Sequence, residues 1–179
     1  EYWLKQFEDD IPVMEIPLDF PRPQAPSYRG AMVRELLDVS VCNKIEKLAN
    51  DYGATEYMVY LAAYMLLLGR YCRQSDITIG TPISGRTHRD MESMIGMFVN
   101  TLVFRGKPEP DKTFKDFLNE IKDICLKGYE NQEYPFDEIV NYLNIPRDPA
   151  RNPLFDVMMV LQNTDDTKTE FSGLSMEYI

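Results

Sequence analysis

The chain has 179 residues, 44% of them hydrophobic and 12% aromatic, and a formal net charge of −10. That is enough apolar material to pack one domain or one large lobe, which excludes intrinsic disorder. An acidic surface repels phosphate backbones and anionic lipid, so neither nucleic acid nor membrane is an expected partner.

In chain order, the opening residues 1–7 read as the end of a helix, followed by a proline-rich stretch with Pro12, Pro17, Pro21, Pro23 and Pro26. Proline removes donors and fixes φ, so this stretch is expected to be an extended linker lying over a surface. Residues 30–37 read as a strand. Ser40 is the expected cap of a helix carrying Val41, Ile45, Leu48, Ala49 and Tyr52 on one face and stopped by Gly53. Thr55 opens the next helix, to about Tyr71, which is apolar nearly all round and therefore expected to be buried. Residues 76–83 and 98–105 read as strands. Thr113 caps a further helix with Phe114, Phe117, Leu118, Ile121 and Cys125 inward, and a short helix follows Tyr134-Pro135-Phe136 through Leu143. Residues 154–161 are apolar on both faces, as in a central strand, and residues 174–179 begin one more. Strands alternating with helices predict an α/β architecture with a mixed β-sheet packed with helices.

Cys42, Cys72 and Cys125 are odd in number and widely spaced, which suggests neither a zinc site nor a redox pair; buried free thiols fit a reducing cytoplasm. The longest apolar run, residues 57–68, is too short for a bilayer, and no signal peptide is recognisable. Both ends fall inside regular patterns, so the expectation is a piece of a longer protein.

Catalysis needs a base, a nucleophile or a metal within reach of substrate. The single histidine, His88, lies in a polar loop without a paired carboxylate pattern and reads as a solvated residue. No nucleophile elbow, phosphate loop or dinucleotide glycine pattern occurs, so no catalytic residue and no metal ligand is assigned.

Three stretches stand out from a plain core. In Ile79-Gly80-Thr81-Pro82-Ile83-Ser84-Gly85-Arg86, two glycines, a proline and a serine end a strand; this is either a tight connection or a loop flooring a tunnel. In Ile95-Gly96-Met97-Phe98-Val99-Asn100-Thr101-Leu102, the polar Asn100 and Thr101 sit in an apolar strand. They either make an internal hydrogen bond or present donors to a substrate amide. The third comprises Asn131-Gln132-Glu133-Tyr134-Pro135-Phe136-Asp137 and Arg147-Asp148-Pro149-Ala150-Arg151-Asn152-Pro153-Leu154. Its arginines read as structural clamps.

Taken together and in this order, these stretches resemble the signatures of the condensation domain of nonribosomal peptide synthetases: Ile-Gly-x-Phe-Val-Asn-Thr, (His/Asn)-Gln-Asp-x-Pro-Phe-Glu and Arg-Asp-x-Ser-Arg-Asn-Pro-Leu. Asp137 replaces the usual Glu and Ala150 the usual Ser. The strand signature differs from the Trp-Phe-Thr pattern of epimerisation domains. Tyr2-Trp3 and residues 17–23 are similar to the segment joining the family's two lobes.

The resemblance implies the two-lobed, chloramphenicol acetyltransferase-like fold of the CoA-dependent acyltransferases, with a tunnel between the lobes. Carrier proteins deliver a donor acyl or peptidyl thioester and an acceptor aminoacyl thioester, and a peptide bond forms between them. On this basis residues 1–28 are expected to be the end of the inter-lobe helix and a Pro-rich linker. Residues 29–179 are the C-terminal lobe, lacking the family's last strands. The His-His-x-x-x-Asp-Gly motif belongs to the other lobe and is absent here, so the chain alone is expected to be inactive.

Carried over, Thr81, Ser84, Gly85 and Arg86 form the floor loop, Asn100 and Thr101 lie near the junction, and the segment after Leu161-Gln162-Asn163 enters a crossover between lobes. Gln132, Pro135, Arg147, Asp148, Arg151 and Asn152 are structural-motif residues. Implied partners are the N-terminal lobe, donor and acceptor carrier proteins and an adjacent adenylation domain, in the cytoplasm. No cofactor is bound directly, the substrates arriving on phosphopantetheine. An uncovered lobe face predicts self-association. Two further readings are a non-catalytic module of the same fold that docks carrier proteins, and a coenzyme A acyltransferase; the second lacks the basic cluster its phosphates need.

Overall fold

The computed structural model describes residues 1–25, 27–146 and 148–162. Five helices and two strands occur in them: α1 (Tyr2–Gln6), α2 (Val39–Asp51), α3 (Glu56–Cys72), β1 (Ile77–Ile83), β2 (Asn100–Gly106), α4 (Phe114–Glu130) and α5 (Phe136–Tyr142), with a 3-10 turn at Arg89–Met91. β1 and β2 are antiparallel, in a register that sets Thr81 against Leu102, Pro82 against Thr101 and Ile83 against Asn100.

Alternation along the two strands sends their side chains to opposite faces. Ile77, Ile79, Leu102 and Phe104 pack with Leu61 and Met65 of α3 and Phe117, Leu118 and Ile121 of α4 in the buried core. Thr78, Gly80, Val103 and Arg105 belong to the other face, covered by α1, α5 and the chain around Phe155. A small sheet between two layers of helices is the α/β arrangement expected from the sequence.

Local chemistry explains most helix boundaries. Thr55 Oγ1 accepts from Met58 N at 3.3 Å at the start of α3, and Thr113 Oγ1 accepts from Asp116 N at 3.2 Å at the start of α4. Gly53, at φ +56, follows the end of α2. The N-cap of α2 is Asp38 rather than Ser40: its Oδ1 accepts from Ser40 N at 2.7 Å. A carboxylate is the stronger acceptor, and the helix starts two residues before the expected position. Hydrogen bonds from Ser40 hold the Asp38 carboxyl below its ordinary pKa.

Four other expectations are corrected. Residues 30–37 form no strand. Val33 and Leu36 are 87% and 99% exposed, and a β-prone stretch without a neighbouring edge has no ladder to join. The stretch 154–161 is not a regular central strand. It touches β1 through one parallel bridge, Gly80 with Met158, in which Gly80 N donates to Val157 O and Met159 N donates to Gly80 O, both at 2.9 Å. That bridge makes the sheet mixed. A Cβ at Gly80 would lie 2.7 Å from the Phe155 ring, so the bridge depends on glycine there. Third, α3 is not buried all round, because Leu67 and Tyr71 share an exposed stripe. Lastly, β2 begins at Asn100 rather than at residue 98. The expected strand 174–179, the crossover after Gln162 and Arg147 lie outside the described residues.

α1 is only five residues long and is held by tertiary contacts. Trp3 Nε1 donates to Asn131 O at 2.9 Å, and Trp3 and Phe7 are buried. Arg105 ties this segment to the sheet. Its Nη2 donates to Asp76 Oδ2 at 2.6 Å and to Asp10 O at 2.8 Å, and its Nη1 donates to Gln6 O at 2.9 Å.

Burial pushes the Cys125 thiol up to about 12 from an ordinary value of 9.0. The native state therefore holds this proton in the window between about pH 9 and 12 where the unfolded chain releases it. The resulting stability is fully present below pH 9 and is lost as pH rises toward 12. In native buffer at pH 8, alkylation followed by mass spectrometry is expected to mark the half-buried Cys42 and spare the buried Cys72 and Cys125 until denaturant is added. Labelling of Cys125 as fast as Cys42 would contradict this burial.

Candidate functional site

The turn after β1 is built on Gly85. Its φ is +65, and a Cβ there would lie 1.7 Å from Phe98 O, so the loop returns against its own backbone where no side chain fits. Ser84 Oγ accepts from Arg86 N at 3.4 Å. Arg86 then staples the loop: its guanidinium donates to Met91 O and, at 3.4 Å, to Gly96 O, and lies 4.5 Å from the centre of the Phe98 ring. His88 is exposed, and its Nδ1 accepts from Asp90 N at 3.2 Å. Residues 84–99 thus form a folded loop with an internal anchor, yet Ile95 and Met97 are 102% and 93% exposed on it.

Gly85→Ala is expected to force the loop away from Phe98. Left-handed strain alone costs about 1–3 kcal/mol, and the collision with backbone adds to it. Trypsin should then cut after Arg86 roughly tenfold faster than in the unaltered protein, since cleavage tracks the open population. An unchanged rate would mean that the loop does not depend on this turn.

Asn100 uses its whole amide internally. Nδ2 donates to Gln132 O and Tyr134 O, both at 2.9 Å, and Oδ1 accepts from Phe136 N at 3.1 Å. The residue therefore hangs the turn before α5 from the first position of β2, and Pro135 caps that helix. Of the two readings open for Asn100, the geometry favours the internal bond. Thr101, half-buried, sits beside Pro82 in the ladder.

Thr81 is buried, and its Oγ1 lies 2.5 Å from the hydroxyl of Tyr57 on α3. Sequence reasoning missed Tyr57; the signal available was its place on the inner face of the helix just after the Thr55 cap. Burial raises the Tyr57 phenol above its ordinary pKa and pushes Tyr129 up to about 12, so both stay neutral at physiological pH.

The structure therefore brings Thr81, Ser84, Gly85, Arg86, Asn100, Thr101, Gln132 and Pro135 to one end of the β1–β2 ladder. Asp148, Arg151 and Asn152 lie elsewhere, lining a cavity of about 1030 Å³. Asp148 Oδ1 accepts from Ala150 N at 2.8 Å. Arg151 donates to Met14 O at 3.3 Å and to Asp156 Oδ2 at 2.6 Å, and Arg22 approaches Asp156 Oδ1 at 3.4 Å. The contacts of Arg151 with Met14 O and of Arg22 with Asp156 hold the proline-rich segment against the rest of the fold. Among the described residues, no group of three His, Cys, Asp or Glu side chains is placed to hold a metal ion, and no helix is long and apolar enough to cross a membrane.

Comparison with known proteins agrees over nearly the whole chain. The family model described as "Condensation domain" matches residues 1–178. Bacitracin synthase 3 of Bacillus licheniformis is 49% identical over 177 residues, which is 99% of this chain and 3% of the synthase. Gramicidin S synthase 2 of Brevibacillus brevis is 47% identical over 175 residues, 98% of this chain and 4% of that protein. The chain thus spans a small fraction of these relatives. Among solved structures, a four-domain nonribosomal peptide synthetase bound to AMP and glycine superposes with a TM-score of 0.88 at 26% identity, covering 92% of this chain and 13% of that one. The X-domain from teicoplanin biosynthesis, in complex with OxyB, gives 0.82 at 26% identity over 88% of this chain and 35% of that one.

Proposed function

This chain belongs to the condensation-domain family of nonribosomal peptide synthetases, and we propose that it works as the C-terminal lobe of such a domain, from residue 29 onward, with residues 1–28 as its connection to the other lobe. The lobe floors and walls a tunnel in which two carrier-bound substrates meet. The amine nitrogen of the acceptor aminoacyl thioester attacks the donor thioester carbonyl. A C–N bond forms, the C–S bond breaks, and the donor phosphopantetheine leaves as a thiol. The base that takes the amine proton comes from the other lobe, and the residues of this chain shape and close the space.

The observation that carries this reading is the loop 84–99. Arg86 holds it in one shape, yet it displays Ile95 and Met97 to solvent. An anchored loop with apolar side chains outward has the character of a contact surface. The N-terminal lobe, the two carrier proteins and an adenylation domain are the proposed partners, in the cytoplasm, and self-association of the isolated chain through its uncovered face belongs to the same proposal. In the complete parent synthetase, loaded donor and acceptor carriers should yield a dipeptidyl carrier by intact-protein mass spectrometry, while this chain alone should yield none. Product from the isolated chain would refute the assigned role.

A second reading, docking without catalysis, draws support from the X-domain, a relative of the same fold seen bound to another protein. A parent domain that binds a carrier protein but forms no dipeptide would favour it. The net charge of −10 argues against an acidic partner on this surface.

A further inference from the structure

A cleft of about 590 Å³ lies between the start of α3 and the far end of β1, with Tyr57 and Thr81 in its lining and Pro82, Ile83, Tyr129 and Leu161 around them. Tyr57 and Thr81 are 9% and 5% exposed. Each hydroxyl carries one proton and accepts others. The contact between them uses one of the two protons. The other has no acceptor among the described residues, so the pair holds a surplus O–H donor at the cleft.

The lining limits what that donor can serve. Among the described residues no lysine, arginine or histidine faces the cleft, and the one charged residue in its lining is Glu56. A carboxylate or phosphate would enter without a counter-charge and against like charge. What remains favourable is a neutral acceptor with apolar atoms beside it, which is the chemistry of an acyl carbonyl. Tyr57 stays a phenol rather than a phenolate, because burial raises its pKa.

We propose that this cleft is a carbonyl subsite: the surplus hydroxyl proton of the Tyr57–Thr81 pair donates to an amide or thioester oxygen, while Pro82, Ile83 and Leu161 hold the apolar part of the same ligand. The proposal rests on the condensation reading above and assigns Tyr57 and Thr81 as substrate-binding residues within it.

The test uses the intact parent condensation domain with a soluble aminoacyl-pantetheine thioester as acceptor. Tyr57→Phe keeps the ring and Thr81→Val keeps the shape, and each removes one hydroxyl. The double variant, which leaves no hydroxyl at the cleft, is expected to raise KM for the thioester about three- to tenfold, the worth of one neutral hydrogen bond, while either single variant keeps one O–H free to donate. The turnover number of the double variant should stay within about twofold, and returning either hydroxyl to it should restore most of the KM.

NMR titration with the thioester and with pantetheine alone separates the two sources of carbonyl. Shifts near Tyr57 with the thioester only assign the acyl carbonyl; shifts with both assign an amide of the arm. An unchanged KM in the double variant while the unaltered domain condenses overturns the subsite and leaves the condensation reading standing, as does a loss confined to thermal stability and turnover. Failure of the unaltered domain to condense overturns that reading and this inference with it.

Discussion

Replacing Arg105 by methionine is expected to lower the unfolding free energy of the domain by about 3–5 kcal/mol, the cost of breaking a buried ion pair by removing one partner. The Arg105 side chain is 8% exposed. Its guanidinium holds Asp76 at the start of β1 and the backbone carbonyls of Gln6 and Asp10, so one side chain joins both strands to the segment after α1. Hydrogen bonding to Asp76 raises its pKa further above the ordinary arginine value, so it stays charged wherever the domain folds. Methionine fills much of the volume but leaves Asp76 and two carbonyls without a donor. The second substitution Asp76→Leu should recover part of the loss, because the stranded carboxylate is then gone, while Gln6 and Asp10 remain unserved. Urea unfolding of the single and double variants measures both. A loss below about 1 kcal/mol for Arg105→Met would show that this clamp is no more than a surface pair.

Asn100→Asp is expected to cost about 2–4 kcal/mol at neutral pH, since two carbonyl oxygens lose their donor and meet a carboxylate instead. The amide nitrogen is the group that serves Gln132 O and Tyr134 O, so the change is isosteric and wholly electrostatic. The sign of its pH dependence follows. A carboxyl facing carbonyls is favoured in its protonated form, so its folded pKa is raised above the unfolded value of about 3.9. The native state then binds the extra proton, and the variant's stability is retained below about pH 4 and lost as pH rises through the folded pKa. Asn100→Ala removes the same bonds without the charge, so its deficit should hold steady over this range. Urea midpoints from pH 3 to 8 distinguish them. Parallel curves for the two variants would mean that the aspartate turns away from the carbonyls.

What the sequence determined by itself is what depends on neighbours within a turn or two. Thr55 and Thr113 announce their helices because a cap acts over three residues, and the inward row Phe117, Leu118, Ile121 and Cys125 follows from the 3.6-residue period alone. The family was legible for a related reason: the stretches around Phe98–Asn100, Gln132–Pro135 and Asp148–Leu154 keep residue types in a fixed order. The α/β class followed from the alternation of strand and helix patterns.

Tertiary structure decided everything that joins distant residues. Residues 30–37 carry a strand pattern, but a strand exists only when another edge supplies its hydrogen bonds. Residues 154–161 meet β1 at Gly80 and nowhere else in regular pairing, at the one position where the lack of a side chain leaves room for the Phe155 ring. Asn100 is polar in either reading until the turn before α5 is placed around its amide. Arg105 and Asp76 are 29 residues apart, and Tyr57 and Thr81 are 24 apart. No local pattern pairs them, because it is strand register and helix packing that bring such groups within hydrogen-bond distance.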